Sequence, residues 1–325
     1  MTAVWILWAA VVIDLLIGDP RWLPHPVIGM GKAIREVEKR IRARTQSPAG
    51  LKRAGILLPL IVAGGSYAIT LLLLLLCASI HPWLAAGAEA VLIATTIAVK
   101  GLRDAGLEVY GHLRAGDLPA ARRSLGMIVG RDTAHLDEPE IVRGTVETVA
   151  ENIVDAVISP LLYALIGGAP LAMAYRAVNT LDSMVGYKNE KYEHLGWASA
   201  RLDDVANWIP ARLTAGLVAI SAAIFALPWR RSIATVRRDA RKHPSPNSGF
   251  PESAVAGALG IRLGGENSYQ GIVSFRAYMG DPERALNAED IRITTRLLLA
   301  ASVIFTVIGT AVLAIVIAAG GGAWA

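Results

Sequence analysis

The chain holds a single cysteine among its 325 residues. Cys77 sits inside the leucine run "ITLLLLLLCASI", which excludes both a disulfide framework and a cysteine-based metal site. There is no G-x-S-x-G, no H-E-x-x-H and no cysteine nucleophile with a histidine partner, so hydrolysis by those routes drops out. The segment "GMGKA" is not a P-loop, because no glycine stands five residues before Gly31 and no Ser or Thr follows Lys32. Basic residues are not interleaved with aromatic stacking residues, which argues against a nucleic-acid partner. Strand-like alternation, internal repeats and low-complexity linkers are missing as well.

What the chain has instead is apolar length. It is 54% hydrophobic, with a mean hydropathy of +0.45, too apolar for an ordinary soluble domain. Apolar runs cover roughly residues 3–18, 54–80, 84–99, 153–175, 212–228 and 297–319, several reaching the ~20 residues that a spanning helix needs. This predicts an all-α, polytopic membrane protein with about five to six membrane segments, polar helical loops and one domain over 1–325. The first run contains Asp14, carries no Lys or Arg before it and is followed by no small-residue cleavage site, so it reads as a retained anchor. Nine Lys and Arg residues lie in 19–53 and eleven in 229–296, which the positive-inside rule places in the cytoplasm of a bacterial-type inner membrane. Residues 176–211 give no orientation signal. Just before them, Ser159, Pro160, Gly167, Gly168 and Pro170 are helix breakers that permit a re-entrant or discontinuous segment.

Carboxylates collect in two places. In "ETVAENIVDAVISP" Glu147, Glu151 and Asp155 recur every four residues, on one helical face beside Asn152. In "RLDDVANW" Asp203, Asp204 and Asn207 put oxygen donors one turn apart, with Asn179 and Asp182 upstream. Both patterns suit a hard cation such as Mg2+, whose remaining shell is water and phosphate oxygen. A solvated helix face would explain the first equally simply, and pairing of Asp203 with Arg201 or Arg212 the second. Asp155 weakens the simple reading, since it falls inside an apolar run.

A third constellation is "RRDARKHPSPNSGFPESAVAGALGIRLGG". Arg238, Lys242 and His243 precede a Ser/Asn/Gly-rich turn that opens a helix near Glu252, and Asn247 and Ser248 there offer backbone N–H groups and polar side chains to a phosphate. The alternative is a basic patch on anionic headgroups. A fourth, "DLLIGDPRWLPHPVIGMGKAI", uses Pro20, Pro24 and Pro26 to fix an extended exit from the first anchor, leaving Asp19 and His25 at the surface; a lone His in such a loop is more often structural.

These four blocks, with "GRDTAHLDEPEIVRGTVETVAENIVDAVISPLLYALIGGAPLAMAYRAVNTLDSMVGYKN", resemble the signature blocks of the adenosylcobinamide-phosphate synthase family of cobalamin biosynthesis, in that family's order and over most of 14–290. The resemblance implies amide formation between the remaining corrin carboxylate of adenosylcobyric acid and (R)-1-aminopropan-2-ol or its O-phosphate. It also allows association with other cobalamin-assembly enzymes. An amide ligase that uses ATP phosphorylates the carboxylate first, which needs Mg2+ ligands and positive charge rather than a protein nucleophile. On this reading Glu147, Glu151, Asp155 and Asp182 are catalytic; Glu151, Asp155, Asp203 and Asp204 hold metal; and Arg131, Arg238, Lys242, His243, Asn247 and Ser248 bind phosphate or corrin carboxamides. Two rivals are a membrane prenyltransferase, which needs a repeated N-D-x-x-D pattern that is not found, and a non-catalytic membrane signalling protein, which dense Asp, Asn and His in the loops speaks against.

Overall fold

The computed structural model describes residues 2–18, 25–269, 271–321 and 324; Asp19, Pro20 and Pro24 lie outside them. In chain order the helices are α1 (Thr2–Ile17), α2 (Pro26–Arg44), α3 (Pro48–Ala54), α4 (Leu57–Ile80), α5 (Pro82–Ala94), α6 (Val99–Arg114), α7 (Leu118–Gly126), α8 (Glu138–Ile153), α9 (Ser159–Val185), α10 (Trp197–Ala206), α11 (Trp208–Ile224), α12 (Trp229–Asp239) and α13 (Gly249–Leu259). An antiparallel hairpin follows, β1 (Leu263–Tyr269) with β2 (Ile272–Met279), and then α14 (Glu289–Ala318).

Four helical stretches are long and apolar enough to cross a membrane: Pro48–Ile80, Pro82–Arg114, Glu138–Val185 and Glu289–Ala318. A fifth arises if the broken pair Trp197–Ala206 and Trp208–Ile224 is one span, and Thr2–Ile17 is a shorter apolar helix. The chain is therefore a polytopic helical membrane protein. In α4 most of the leucines point outward, Leu60, Leu72 and Leu76 among them, while Leu58 is buried, a pattern that lipid rewards and water penalises.

The chain divides into two compact units. The first comprises 1–98, 159–207 and 306–325, the second 99–158 and 208–305. In the first, Leu58, Val62, Met173, Ala177 and Leu181 join Ile34 in one apolar cluster, while Leu7, Ala10, Ile93, Ala164 and Ala172 form another. In the second, α8 starts at a capping box in which the side chain of Asp137 accepts from the Glu140 N–H and Glu140 reaches back to the Asp137 N–H. From Ile141 to Ala150 every residue of α8 is buried, polar ones included.

The helix breakers act where the composition places them. At Gly167 and Gly168 the backbone of α9 leaves helical geometry, with Gly168 at φ +62°. The Ala169 N–H that this break releases donates to Glu89 Oε1 at 3.2 Å, so an acid inside the otherwise apolar α5 caps a half-helix, where a carboxylate also suits the helix dipole. The junction of α8 with α9 differs from a plain α-helix too, because Val154–Ile158 form a π-helical turn and Asp155 lies within it.

The hairpin corrects one expectation, since residues 230–296 do contain strands. Neither strand alternates in burial: β1 opens on buried Leu263, Gly264 and Gly265, and the first four residues of β2 are all exposed. Polar contacts to β1, described below, hold it rather than a hydrophobic face.

At Gly168 a Cβ would come within 2.3 Å of Glu89 Oε1, on a backbone that L-residues rarely adopt. Gly168→Ala should therefore lower stability by ~1–2 kcal/mol or more, read as a reduced thermal midpoint in detergent, whereas Gly216→Ala, with open space around it, should not.

Candidate functional site

In the second unit Glu147 is a deeply buried acid, 2% exposed on α8. Its Oε2 accepts from Arg131 Nη2 at 2.6 Å, and its Oε1 from the Gly264 N–H at 2.8 Å, with Arg143 Nη1 at 3.5 Å. Arg131 also donates to Asn267 Oδ1 at 2.6 Å, and Arg143 to the carbonyls of Gly264 and Glu266 at 2.8 and 2.7 Å. Charges this deep persist only when paired and hydrogen-bonded. Both oxygens of Glu147 are thereby committed, and β1 is fastened to α8.

One turn further along, half-buried Glu151 keeps more freedom. Its Oε1 accepts from Ser248 Oγ at 2.8 Å, which brings together two residues singled out 97 positions apart in the sequence. The turn before α13 is held largely by its own side chains: the N–H groups of Asn247 and Ser248 donate to Ser245 Oγ at 3.2 and 3.3 Å, and the Ser245 N–H donates to His243 Nδ1 at 3.0 Å. An accepting Nδ1 fixes the neutral tautomer with its proton on Nε2.

That Nε2 points toward Glu252, 3.7 Å from Oε1, beyond hydrogen-bond range. Glu252 is 1% exposed on α13, whose residues are all buried except Phe250. Neither of its oxygens has a hydrogen-bond partner among the described residues, and the same holds for His243 Nε2. Burial, reinforced by the charges of Glu147 and Glu151, drives the Glu252 carboxyl well above the usual carboxylate range. Burial likewise holds His243 below its usual value, against the opposing pull of Glu151. The side chain of Arg276, from β2, supplies a compensating charge and donates to the Tyr269 hydroxyl at 2.9 Å. Facing each other beside Glu151, a carboxyl that burial biases toward its protonated form and an imidazole that burial biases toward its neutral form make a candidate pair for proton transfer. Sequence reasoning left Glu252 and Arg276 without a role. The signal for Glu252 was an acid in the small-residue stretch "ESAVAGALG", for which no surface face exists.

Arg238 and Lys242 are occupied differently. Buried Asp239 accepts from Arg238 Nε and Nη2 at 2.9 and 2.7 Å, from Lys242 Nζ at 2.7 Å and from the Gly280 N–H at 2.9 Å. Burial alone would raise the Asp239 carboxyl, but these donors outweigh it and hold it well below the usual range. Arg238 and Lys242 remain about half exposed.

Asp182, Asp203 and Asp204 belong to the first unit, whereas Glu147, Glu151 and Asp155 belong to the second. Asn207 Nδ2 donates to Asp203 Oδ2 at 3.0 Å, while Asn207 Oδ1 accepts from Ser159 Oγ at 2.6 Å and from the Tyr175 hydroxyl at 2.9 Å. Asp203 Oδ1 is buried without a hydrogen bond, with Asp182 close enough to act on it electrostatically. Asp204 lies 3.4 Å from Arg201 Nη1 on the surface. Among the described residues no three His, Cys, Asp or Glu side chains converge as a metal site. His25 caps α2, its Nδ1 accepting from the Val27 N–H.

Fold and site together define a multi-pass helical membrane protein with a buried acid–imidazole centre. The chain belongs to the CobD/CbiB family, whose profile, described as CobD/Cbib protein, matches residues 7–298. It is 50% identical to the cobalamin biosynthesis protein CobD of Geobacter metallireducens over 90% of this chain and 91% of that one. It is likewise 50% identical to CobD of Halalkalibacterium halodurans, over 87% and 88%, and 46% identical to the cobalamin biosynthesis protein CbiB of Salmonella paratyphi B, over 90% and 91%. No solved structure matches.

Because Glu147 neutralises two buried guanidiniums, Glu147→Gln should cost ~3–5 kcal/mol and expose the hairpin to amide exchange. Glu151→Gln, which weakens one hydrogen bond, should cost ~1 kcal/mol. Equal effects in a denaturation series would contradict the division of labour between the two acids.

Proposed function

We propose that the chain is an ATP-dependent amide ligase of cobalamin biosynthesis in the bacterial inner membrane. It would join the one free propionate carboxylate of adenosylcobyric acid to (R)-1-aminopropan-2-ol or its O-phosphate, giving adenosylcobinamide or its phosphate. The names of the relatives support the pathway. The observation that carries the chemistry is Glu252, a carboxyl group wholly buried, unpartnered and facing His243.

The amine reaches the enzyme as an ammonium, which has no lone pair with which to attack. Glu252, once its own proton has left to solvent, takes the ammonium's proton and returns to the neutral acid that burial favours. Before the transfer His243 Nε2–H faces the Glu252 carboxylate and Arg276 offsets its charge; after it the carboxyl is neutral and the amine has its lone pair. Glu151 has one oxygen beyond its bond from Ser248, enough for a site in which Mg2+ is held by one or two carboxylates and nucleotide phosphates. Bound there, Mg-ATP would supply the phosphoryl group that turns the corrin carboxylate into an acylating agent. Arg238 and Lys242, half exposed beside Asp239, are cationic groups a few residues before that turn in sequence. The basic stretches 19–53 and 229–296 face the cytoplasm, where ATP is available.

Purified protein in detergent, given adenosylcobyric acid, Mg-ATP and each amine separately, should release ADP and yield an amide identified by mass spectrometry. Glu252→Gln should reduce the rate ~100-fold or more while folding normally. Full activity in that variant, or amide formation without nucleotide cleavage, would overturn the reading.

A further inference from the structure

The first unit contains a cavity of about 400 Å³ between α2 and α9, lined by Gly31 and Arg35 on one side and by Arg176, Asn179, Thr180 and Ser183 on the other. None of these residues lies in the acid–imidazole centre, which belongs to the other unit. Two features set the cavity apart from an ordinary surface groove.

Its cations are uncompensated. Neither Arg35 nor Arg176 makes an ion pair with a carboxylate among the described residues, and Arg176 Nε is buried without a hydrogen-bond partner. The buried guanidiniums of Arg131 and Arg143 are by contrast matched by an acid or by carbonyls. Arg176 also lies within the apolar stretch Glu138–Val185, where an unpaired cation is costly unless it serves a ligand.

The cavity is also kept open by the absence of a side chain. A Cβ on Gly31 would stand 3.4 Å from Met184 Sδ and 3.7 Å from Arg35 Nη1, so any larger residue there would enter the space in front of the guanidinium. The hydroxyls of Thr180 and Ser183 donate to backbone carbonyls of their own helix, at 2.7 and 2.9 Å, leaving the arginines as the principal donors.

We infer that this cavity binds a phosphate group through Arg35 and Arg176. Two guanidiniums with unused planar donors match phosphate geometry, and the volume takes a phosphate with a short substituent. The phosphate comes either from a soluble monoester or from a phospholipid headgroup, and the two sources are separable by experiment. The inference stands apart from the ligase reading, because it requires binding alone.

The test uses full-length protein in detergent. O-phosphoethanolamine is titrated calorimetrically into wild type, Arg35→Gln and Gly31→Leu; Arg35 is exposed and Gly31 lies at the cavity wall, so neither change removes a buried charge partner. In parallel, phospholipid retained through delipidating washes is quantified by mass spectrometry for the same three proteins. A soluble ligand predicts wild-type binding that weakens ~10-fold or more in both variants. A headgroup predicts instead that wild type retains phosphatidylglycerol and both variants lose it. Either outcome supports a phosphate site, and wild type matching both variants in both measurements would overturn it. Near-UV circular dichroism of the variants confirms that the fold is retained.

Discussion

The pairing of Glu147 with two arginines is the constraint on which the second unit rests. Three charged groups are taken out of water there, at a desolvation cost of several kcal/mol per ion, and only a nearly complete set of partners offsets it. Those partners come from the loop before α8, from α8 itself and from the backbone of β1. A strand with two consecutive glycines and no apolar face has little intrinsic reason to form. It forms here because its N–H and carbonyls complete the coordination of Glu147 and Arg143. The hairpin in turn carries Arg276 toward Glu252, so the electrostatics of the acid–imidazole centre depend on an ion pair that takes no part in its chemistry.

The acidic face of Glu147, Glu151 and Asp155, one row by its four-residue spacing, divides along its length. Glu147 is committed to holding the fold, Glu151 reaches Ser248 with an oxygen to spare, and Asp155 sits in a π-helical turn that departs from the four-residue spacing. Such turns recur at functional sites because they widen the helix without ending it. In the first unit the corresponding network is built on Asn207, whose amide joins Asp203 to Ser159 and Tyr175. It links the start of α9, its middle and the end of α10 in one polar knot beneath the stacked rings of Tyr163 and Tyr175.

Much of this was legible in the residues. Apolar runs of ~20 residues imply spanning helices on length alone, and Gly167, Gly168 and Pro170 announced the break in α9. Glu151 and Ser248 were both singled out, although only the fold shows them in contact. The rest was hidden for physical reasons. Glu252 stands in a short, small-residue helix where periodicity carries no signal, and its character comes from burial. Glu89 is an isolated acid in an apolar run, and becomes intelligible only beside the N–H freed at Ala169. Arg143 reads as one polar residue of an amphipathic helix, yet its work is done 121 positions away at Gly264. Pattern reasoning reports local spacing, whereas these roles are made by long-range contacts.

The central claim is that Glu252 is a buried, proton-bearing acid beside a neutral His243. Infrared difference spectroscopy of the full-length protein in detergent, comparing wild type with Glu252→Gln across a pH series, tests it most directly. The account predicts a protonated-carboxyl stretching band that persists at pH values above the usual carboxylate range, disappears as the pH rises further, and is absent from the variant. A wild-type spectrum that shows only ionised carboxylate from about pH 6 upward, indistinguishable from that of Glu252→Gln in the protonated-carboxyl region, would contradict it.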